Sequence, residues 1–381
     1  MTEELAARRK ALLSSAKRIV VKVGSGVLTG GGHTTVDDNV VEEIVRQVAE
    51  LIKEGRKVAV VSSGAVAMGA KMLNIPRHGL PIPVKQAAAA IGQGNLISLW
   101  TRHLARYGVK VGQALLTHDD LADRRRFLNS RNTMNAMFEL GAVPVINEND
   151  TVAVDEMKFG DNDTLSARVT NLIEADLLAI LSDVDGLYSA DPRLDKSAAK
   201  IDFVTEVDEK IMSIAGDSSS RTGLGGMASK VRAAAEASRF GAPTLILSGS
   251  AKGALLSAMA GERMGTFFFP HENRLDSKRH WIEFTLKSKG EIVVDDGAKE
   301  AITSKGKSLL SSGIKVVRGD FDAGDAVNII GPDGTRFAKG LVNYPSHEME
   351  REKGRRSSEI EKILGYKTYD EIIHRDDMAF C

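Results

Sequence analysis

Two clusters of Asn and Asp side chains lie close together in the sequence and could bind a small charged molecule. One cluster ends the apolar segment "VPVINEND", and the other lies in "FGDNDTLSA". Together Asp150, Asp161, Asn162 and Asp163 supply carboxylate oxygens and one amide. Such a set can hold a substrate ammonium group, orient lysine side chains or bind magnesium through water. A helix cap would explain one of these residues and leaves the others unexplained.

Two glycine-rich segments with a lysine beside them point to phosphate binding. "KVGSGVLT" begins at Lys22, and "GLGGMASKVRAAAEA" contains Lys230. Backbone N–H groups in a glycine-rich turn that opens a helix attract anions. Thr29 stands where a dinucleotide fingerprint needs its third glycine, and Lys230 follows the serine, which reverses the Walker order. The alternative is that the glycines only make tight turns and both lysines are solvated, although Lys22 lies in an apolar segment where burial needs an anionic partner.

Several other kinds of chemistry are excluded by the sequence. Its single cysteine is Cys381, its eight histidines are scattered, and neither a Ser-His-Asp set nor a Cys/His metal spacing occurs. The chemistry that remains depends on positioning the reacting groups and neutralising their charge, which is what phosphoryl transfer mainly requires. The 51 basic residues equal the 51 acidic residues, so net charge gives no argument for nucleic acid or membrane binding. No apolar run approaches the ~20 residues that span a bilayer, and a reducing cytoplasm suits the cysteine content.

The elements that must position these residues alternate between strands and helices. Near-continuous apolar runs, typical of strands buried on both faces of a parallel sheet, occur in "RIVVKVG", "KVAVVSSG", "VKVGQALLT", "VPVINEND", "DLLAILSDVDG" and "PTLILSG". Helical patterns lie between them, so we predict an α/β/α sandwich with a mainly parallel sheet. Most of these strands end in small or polar residues, and ligands bind at the carboxyl ends of such strands.

A second, smaller domain begins near Trp281. The segments "WIEFTL", "GEIVVDD", "IKVVRGD", "AVNIIGPDG" and "FAKGLVNY" are short and punctuated by glycine and aspartate, which is typical of a small β-rich barrel or sandwich. A charged stretch follows and predicts a helical tail. We therefore predict an N-terminal extension over 1–16, an α/β domain over 17–265, a β-rich domain over 278–355 and a tail over 356–381.

Taken together, several motifs resemble those of the glutamate 5-kinases, a family of the amino acid kinase superfamily. They are "VVKVGSGVLT", "VSSGAVAMG", "VPVINENDTVA", "KFGDNDTLSA", "LSDVDGLYSADPR" and "GLGGMASK", with "ILGY" and "HRDDM" near the carboxyl end. The resemblance runs from about Lys17 to the carboxyl terminus. It implies an amino acid kinase fold followed by a PUA domain. It also implies that ATP, with Mg²⁺, phosphorylates the γ-carboxylate of L-glutamate to γ-glutamyl phosphate, the first step of proline synthesis, under feedback inhibition by proline.

The resemblance and the Asn/Asp pattern together give three groups of candidate site residues. The catalytic group, in which Asp163 is expected to orient the two lysines, is Lys22, Lys230 and Asp163. The glutamate group, in which Asp161 is expected to meet the substrate ammonium, is Ser63, Asp150, Asn162 and Asp161. The ATP group is Lys22, Ser182, Asp183, Leu224, Gly225, Gly226, Met227, Ala228, Ser229 and Lys230. The family commonly has threonine at the positions of Ser182 and Leu224.

Two kinds of alternative remain open at this point. Related kinases act on aspartate, acetylglutamate or a nucleoside monophosphate, but the Asn/Asp-rich pocket favours a free amino group and "GDND" favours glutamate. An RNA-binding or regulatory protein acting through the PUA-like domain is the other alternative, yet acidic residues there offset the basic ones. The resemblance further implies a homo-oligomer, tetramer or dimer, that is cytoplasmic and does not bind membranes.

Overall fold

The chain forms two compact units in a computed structural model. The structure describes residues 2–30, 36–76, 79–152, 162–192, 194–216, 226–271, 279, 282–283 and 286–380. The first unit contains residues 1–122 and 130–271, and the second contains residues 123–129 and 272–381.

The first unit is built on an eight-stranded sheet. Its strands are β1 (Arg18–Val23), β2 (Lys57–Ser62), β3 (Lys110–Leu116), β4 (Ala142–Glu148), β5 (Leu177–Ser182), β8 (Phe203–Val204), β9 (Thr244–Ser248) and β10 (Thr266–Phe268). Strands β6 (Leu187–Tyr188) and β7 (Lys200–Ile201) form a separate small hairpin. The strand order is β3-β4-β2-β1-β5-β9-β10-β8, and all neighbours are parallel except β9 and β10. All six predicted strands and the mainly parallel sheet are confirmed.

Helices pack on both faces of this sheet. They are α1 (Thr2–Ser15), α2 (Ser25–Leu28), α3 (Asp38–Lys53), α4 (Ala65–Met72), α5 (Ile82–Ala105), α6 (His118–Ala122), α7 (Arg124–Glu139), α8 (Asn162–Leu172), α9 (Glu209–Ile214), α10 (Met227–Arg239) and α11 (Ala254–Met259). Successive residues of a strand point to opposite faces. Val21 and Val23 of β1 therefore join a core with α3, α5 and α11, whereas Lys22 points to the face covered by α8. In the described part of the chain, no helix is both long and apolar enough to cross a membrane.

The N-terminal extension is an integral part of the first unit. Leu13 of α1 is fully buried in the main core. The buried guanidinium of Arg9 donates to the backbone oxygens of Glu262, at 2.6 Å, and Met264, at 3.0 Å. Phe267 of β10 joins the same core, so the first unit continues beyond the predicted boundary at residue 265.

The second unit has its own five-stranded sheet and core. Its elements are β11 (Gly290–Val294), α12 (Asp296–Thr303), β12 (Ile314–Gly319), β13 (Ala326–Ile330), β14 (Arg336–Leu341), α13 (Ser346–Glu352), α14 (Ile360–Leu364) and β15 (Met378–Phe380), and the strand order is β12-β11-β13-β14-β15. This confirms the predicted strand-rich domain. "WIEFTL" lies partly outside the described residues, and Ile282 and Glu283 within it are helical rather than extended.

The charged stretch "HEMEREKGRRSSEIEKILGY", predicted to be helical, contains α13 and α14, and beyond it the chain forms a short strand. Strand β15 pairs antiparallel with β14, and Met378 is buried in the core of the second unit together with Ile360 of α14. The strand has only three residues, which is too short for an alternating pattern to reveal it.

Helices α4 and α5 cross with their backbones in contact. A Cβ atom added to Gly69 would lie 1.8 Å from the backbone oxygen of Ala88, and one added to Gly92 would lie 1.9 Å from that of Ala65. Neither position can accept a side chain without separating the helices. The crossing therefore fixes α5 against the start of α4, directly after the end of β2.

We expect Gly92→Ala to lower the free energy of unfolding by about 2 kcal/mol or more, because the helices must move apart. Gly94→Ala is the matched control on the same helix, since nothing lies within 4 Å of an added Cβ there. The control should be neutral or stabilising by up to about 1 kcal/mol, because alanine favours helix over glycine. Urea and thermal unfolding of both variants measure this. Equal effects of the two substitutions would contradict the close crossing.

Candidate active site

The carboxyl ends of five adjacent strands meet at one edge of the first sheet. Strands β4, β2, β1, β5 and β9 run parallel in that order, with Val23 paired to Ser62 and Ser182 paired to Ser248. This order places β1 in the centre, with β2 and β4 on one side and β5 and β9 on the other. Lys22, near the end of β1, therefore lies between the two halves of this edge.

A buried cluster of charged residues lies at the centre of this edge. The ammonium group of Lys22 pairs with Oδ1 of Asp163, at the start of α8. The Nζ of Lys230, in the first turn of α10, lies 3.4 Å from Oδ2 of the same carboxylate, and the Oγ of Ser229 donates to that oxygen at 2.7 Å. Asp163 is fully buried, and the two lysines are 4% and 6% exposed. The structure thus brings together the three residues predicted to form the catalytic group.

The cluster combines two basic side chains with one acidic side chain. Burial alone would raise the pKa of Asp163, but the ammonium groups of Lys22 and Lys230 hold it well below its usual range. The carboxylate is therefore ionised at neutral pH, with a lysine near each of its oxygens. Two lysine side chains held side by side are suited to contact a phosphate group.

On the β2 and β4 side of Lys22 lies a chain of amide hydrogen bonds. The Nδ2 of Asn162 donates to Oγ of Ser63 at 2.8 Å and to Oδ1 of Asn147 at 2.9 Å, with a longer contact of 3.3 Å to the backbone oxygen of Ser62. The Nδ2 of Asn147 in turn donates to Oε1 of Gln93 at 2.8 Å. Ser63 and Asn162, both predicted to hold glutamate, are therefore neighbours.

Two members of this chain were not predicted from the sequence. Asn147 lies in the same "VPVINEND" segment as Asp150, so the motif itself held the signal. Gln93 lies on α5 and carries no local sequence signal, because its contact with Asn147 spans 54 residues of chain.

Asp150 lies in the turn that follows β4, three residues after Asn147. Its side chain is half-buried, and burial raises its pKa to about 6. Ionisation of this carboxyl is therefore harder than in water, although the ionised form still prevails at neutral pH. A cation such as a substrate ammonium group would lower the pKa of Asp150 again by pairing with the carboxylate.

The β5 and β9 side of Lys22 holds the described residues of the predicted ATP group. Ser182 is buried at the end of β5, and its Oγ donates to Oδ1 of Asp183 at 3.0 Å, while Asp183 itself is exposed. Gly226 precedes the first turn of α10, which consists of Met227, Ala228, Ser229 and Lys230. The other predicted site residues, Asp161, Leu224 and Gly225, lie outside the described residues.

Known proteins resemble this chain over both of its units. Residues 17–248 match the amino acid kinase family, and residues 290–364 match the PUA domain. A glutamate 5-kinase from Syntrophotalea carbinolica is 51% identical, covering 97% of this chain and 99% of the relative. One from Geobacter sulfurreducens is 50% identical with the same coverage. A solved UMP kinase from Bacillus anthracis aligns with 67% of this chain and 96% of its own at 14% identity and a TM-score of 0.47, too low to add weight.

We expect Asp150→Asn to stabilise the ligand-free protein above pH 6 but not at pH 4. The folded-state pKa of about 6 lies above the ordinary value of 3.8, so the wild type loses stability as pH rises between these values. At about 1.4 kcal/mol for each pKa unit, with allowance for partial exposure, the gain should be about 2 kcal/mol. Thermal unfolding from pH 4 to pH 8 measures it. A pH-independent difference between the two proteins would contradict the burial of this carboxylate.

Proposed function

The chain belongs to the glutamate 5-kinase family of the amino acid kinases, and we propose how its residues carry out the ATP-dependent phosphorylation of glutamate. The reaction transfers the γ-phosphoryl group of ATP to the γ-carboxylate of L-glutamate and yields ADP and γ-glutamyl phosphate. The observation that carries our assignment of residues is the buried cluster in which Lys22 and Lys230 both contact Asp163. It lies between a polar amide network and the predicted ATP residues.

The transfer needs positioning and charge neutralisation rather than a general base. The γ-carboxylate of glutamate is already an anionic nucleophile at neutral pH. One of its oxygens attacks the γ-phosphorus in line as the bond to the β,γ-bridging oxygen breaks, and the electron pair leaves with ADP. Lys22 and Lys230 stabilise the negative charge on the phosphoryl oxygens. Asp163 is the positioning residue, since its carboxylate contacts both lysines.

The amide chain supports recognition of glutamate on the other side of Lys22. The Nδ2 of Asn162 is engaged by Ser63 and Asn147, and none of the hydrogen bonds within the described ranges uses its Oδ1. That oxygen can accept a hydrogen bond from the substrate ammonium. Ser63 accepts from Asn162, so its own hydroxyl proton can be donated to a carboxylate. Asp150 and Asp161 add negative charge for the ammonium, which favours a free amino group over an acylated one.

ATP would lie on the opposite side, against Ser182, Asp183 and the loop and helix start formed by residues 224–230. Mg²⁺ would enter with the nucleotide as its phosphate complex. Within the described ranges, no group of three or more His, Cys, Asp or Glu residues could hold a metal ion.

Inhibition by proline and assembly into an oligomer are two further parts of the proposed function. Proline shares the α-amino and α-carboxylate groups of glutamate, so we propose feedback inhibition near the glutamate residues. We also propose a homo-oligomer, either a dimer or a tetramer, acting in the cytoplasm.

RNA binding by the PUA domain is not favoured by the charges of its surface. Several of its basic side chains pair with acidic ones: Lys289 with Asp325 at 2.9 Å, Arg318 with Glu291 at 3.4 Å and Lys315 with Asp295 at 3.6 Å. Contacts to a nucleic acid backbone depend on basic groups that are available to phosphate. We propose a regulatory or oligomer-stabilising role for this domain instead.

The function is tested by trapping the acyl phosphate with hydroxylamine. We expect hydroxamate to form with MgATP and L-glutamate, and not with L-aspartate or N-acetylglutamate. Proline should suppress the signal. Formation with aspartate or acetylglutamate alone would overturn the substrate assignment, and no signal with any of the three from folded protein would overturn the function.

We expect Lys22→Ala to lower kcat by about 100-fold or more, because a charge that stabilises the transferring group is lost. The KM for glutamate should change only a few-fold. Asp163 keeps Lys230 as an ionic partner, so the variant should fold, which circular dichroism can check. The matched control is Lys53→Ala, whose lysine lies on the outer surface of α3 with its side chain 78% exposed. Turnover of the Lys22 variant within a few-fold of the wild type would exclude this role.

A further inference from the structure

Helix α5 contacts the ends of both strands on the glutamate side. Trp100 is fully buried, and its Nε1 donates to Oγ of Ser62, at the end of β2, at 2.9 Å. Gln93 is seven residues earlier, which is two helical turns and hence the same face. Its Oε1 accepts from Asn147, near the end of β4. The glycine crossing with α4 holds the helix in place at Gly92, the residue next to Gln93.

The orientation of one amide in this chain fixes the orientation of the next. Gln93 presents an oxygen to Asn147, so Asn147 must turn its NH₂ group toward Gln93 and its Oδ1 toward Asn162. Asn162 must then present its NH₂ group to Asn147 and Ser63. As a result its Oδ1 is the atom left to accept a hydrogen bond from a ligand. Reversing the first amide would replace this acceptor by a donor, which repels an ammonium group.

We infer that Gln93 is a positioning residue for glutamate, acting through Asn147 on the amide of Asn162. This inference rests on the proposed function, because it assumes that the ammonium of glutamate meets Asn162. Gln93 does not touch the reacting atoms in this account. It sets the direction of a hydrogen-bond chain whose other end recognises the substrate.

Two substitutions of Gln93 separate this role from others. Gln93→Leu removes the acceptor and lets the Asn147 amide rotate, so we expect the KM and Kd for glutamate to rise roughly tenfold, the effect of about one lost hydrogen bond. The kcat and the KM for ATP should stay within about threefold. Gln93→Glu keeps an oxygen for Asn147, so it should restore most of the affinity. If Gln93 instead donated directly to a substrate carboxylate, Gln93→Glu would be the more damaging variant.

The matched control is Gln113→Leu, the same change at an exposed position of β3 whose side chain makes no hydrogen bond within the described residues. It should leave the KM for glutamate unchanged. A second test is the double variant Gln93→Leu/Asn147→Leu, which should be little worse than Asn147→Leu alone because both changes break one chain. If the variants unfold within a few degrees of the wild type, their effects on glutamate binding are local.

Hydroxamate kinetics and calorimetric titration with L-glutamate give the readouts. If the wild type is active and Gln93→Leu leaves the KM and Kd for glutamate unchanged, the role of Gln93 is overturned while the proposed function stands. A Gln93→Glu variant as impaired as Gln93→Leu would also overturn it, since an oxygen acceptor would then not suffice. A folded wild type that neither binds nor phosphorylates glutamate would overturn both the function and the inference.

Discussion

A single buried carboxylate, Asp163, holds two lysines that reach it from different elements. Lys22 comes from the central strand β1 and Lys230 from the start of α10, while Asp163 begins α8. Removing one partner from a buried ion pair costs about 3–5 kcal/mol, a large part of the 5–15 kcal/mol that stabilises a typical protein. The contact therefore holds the three elements together at this point. It also places two lysine side chains side by side, as the proposed phosphoryl transfer requires.

In the proposed arrangement, the strand order lets the two substrates bind without competing for space. Because β1 is central, the polar strand ends divide into a β2 and β4 side and a β5 and β9 side, with Lys22 between them. The β2 and β4 side is braced by α5, whose Trp100 and Gln93 each bond a strand end. Rigid backbone contact between α4 and α5 supports that brace. In this proposal, positioning of the amino acid depends on the packing of α4 and α5 as well as on the residues that would contact it.

Sequence reasoning succeeded where a signal was local and failed where it was not. Long apolar runs revealed β1 and its five parallel companions, whereas β8, β10 and β15 have two or three residues and are specified by what they pair with. Lys22 was recognisable because a lysine in an apolar strand needs an anion. The contact of Gln93 with Asn147 could not be predicted, because nothing near residue 93 encodes a partner 54 residues away.

The position of α1 has a consequence for how the chain is made. Arg9 bonds the backbone oxygens of Glu262 and Met264, which are 253 and 255 residues later in the sequence. During synthesis, Arg9 leaves the ribosome long before these two partners. Its hydrogen bonds to them therefore form only after nearly the whole first unit has been made. This part of α1 is thus fixed by residues that are synthesised among the last of the first unit.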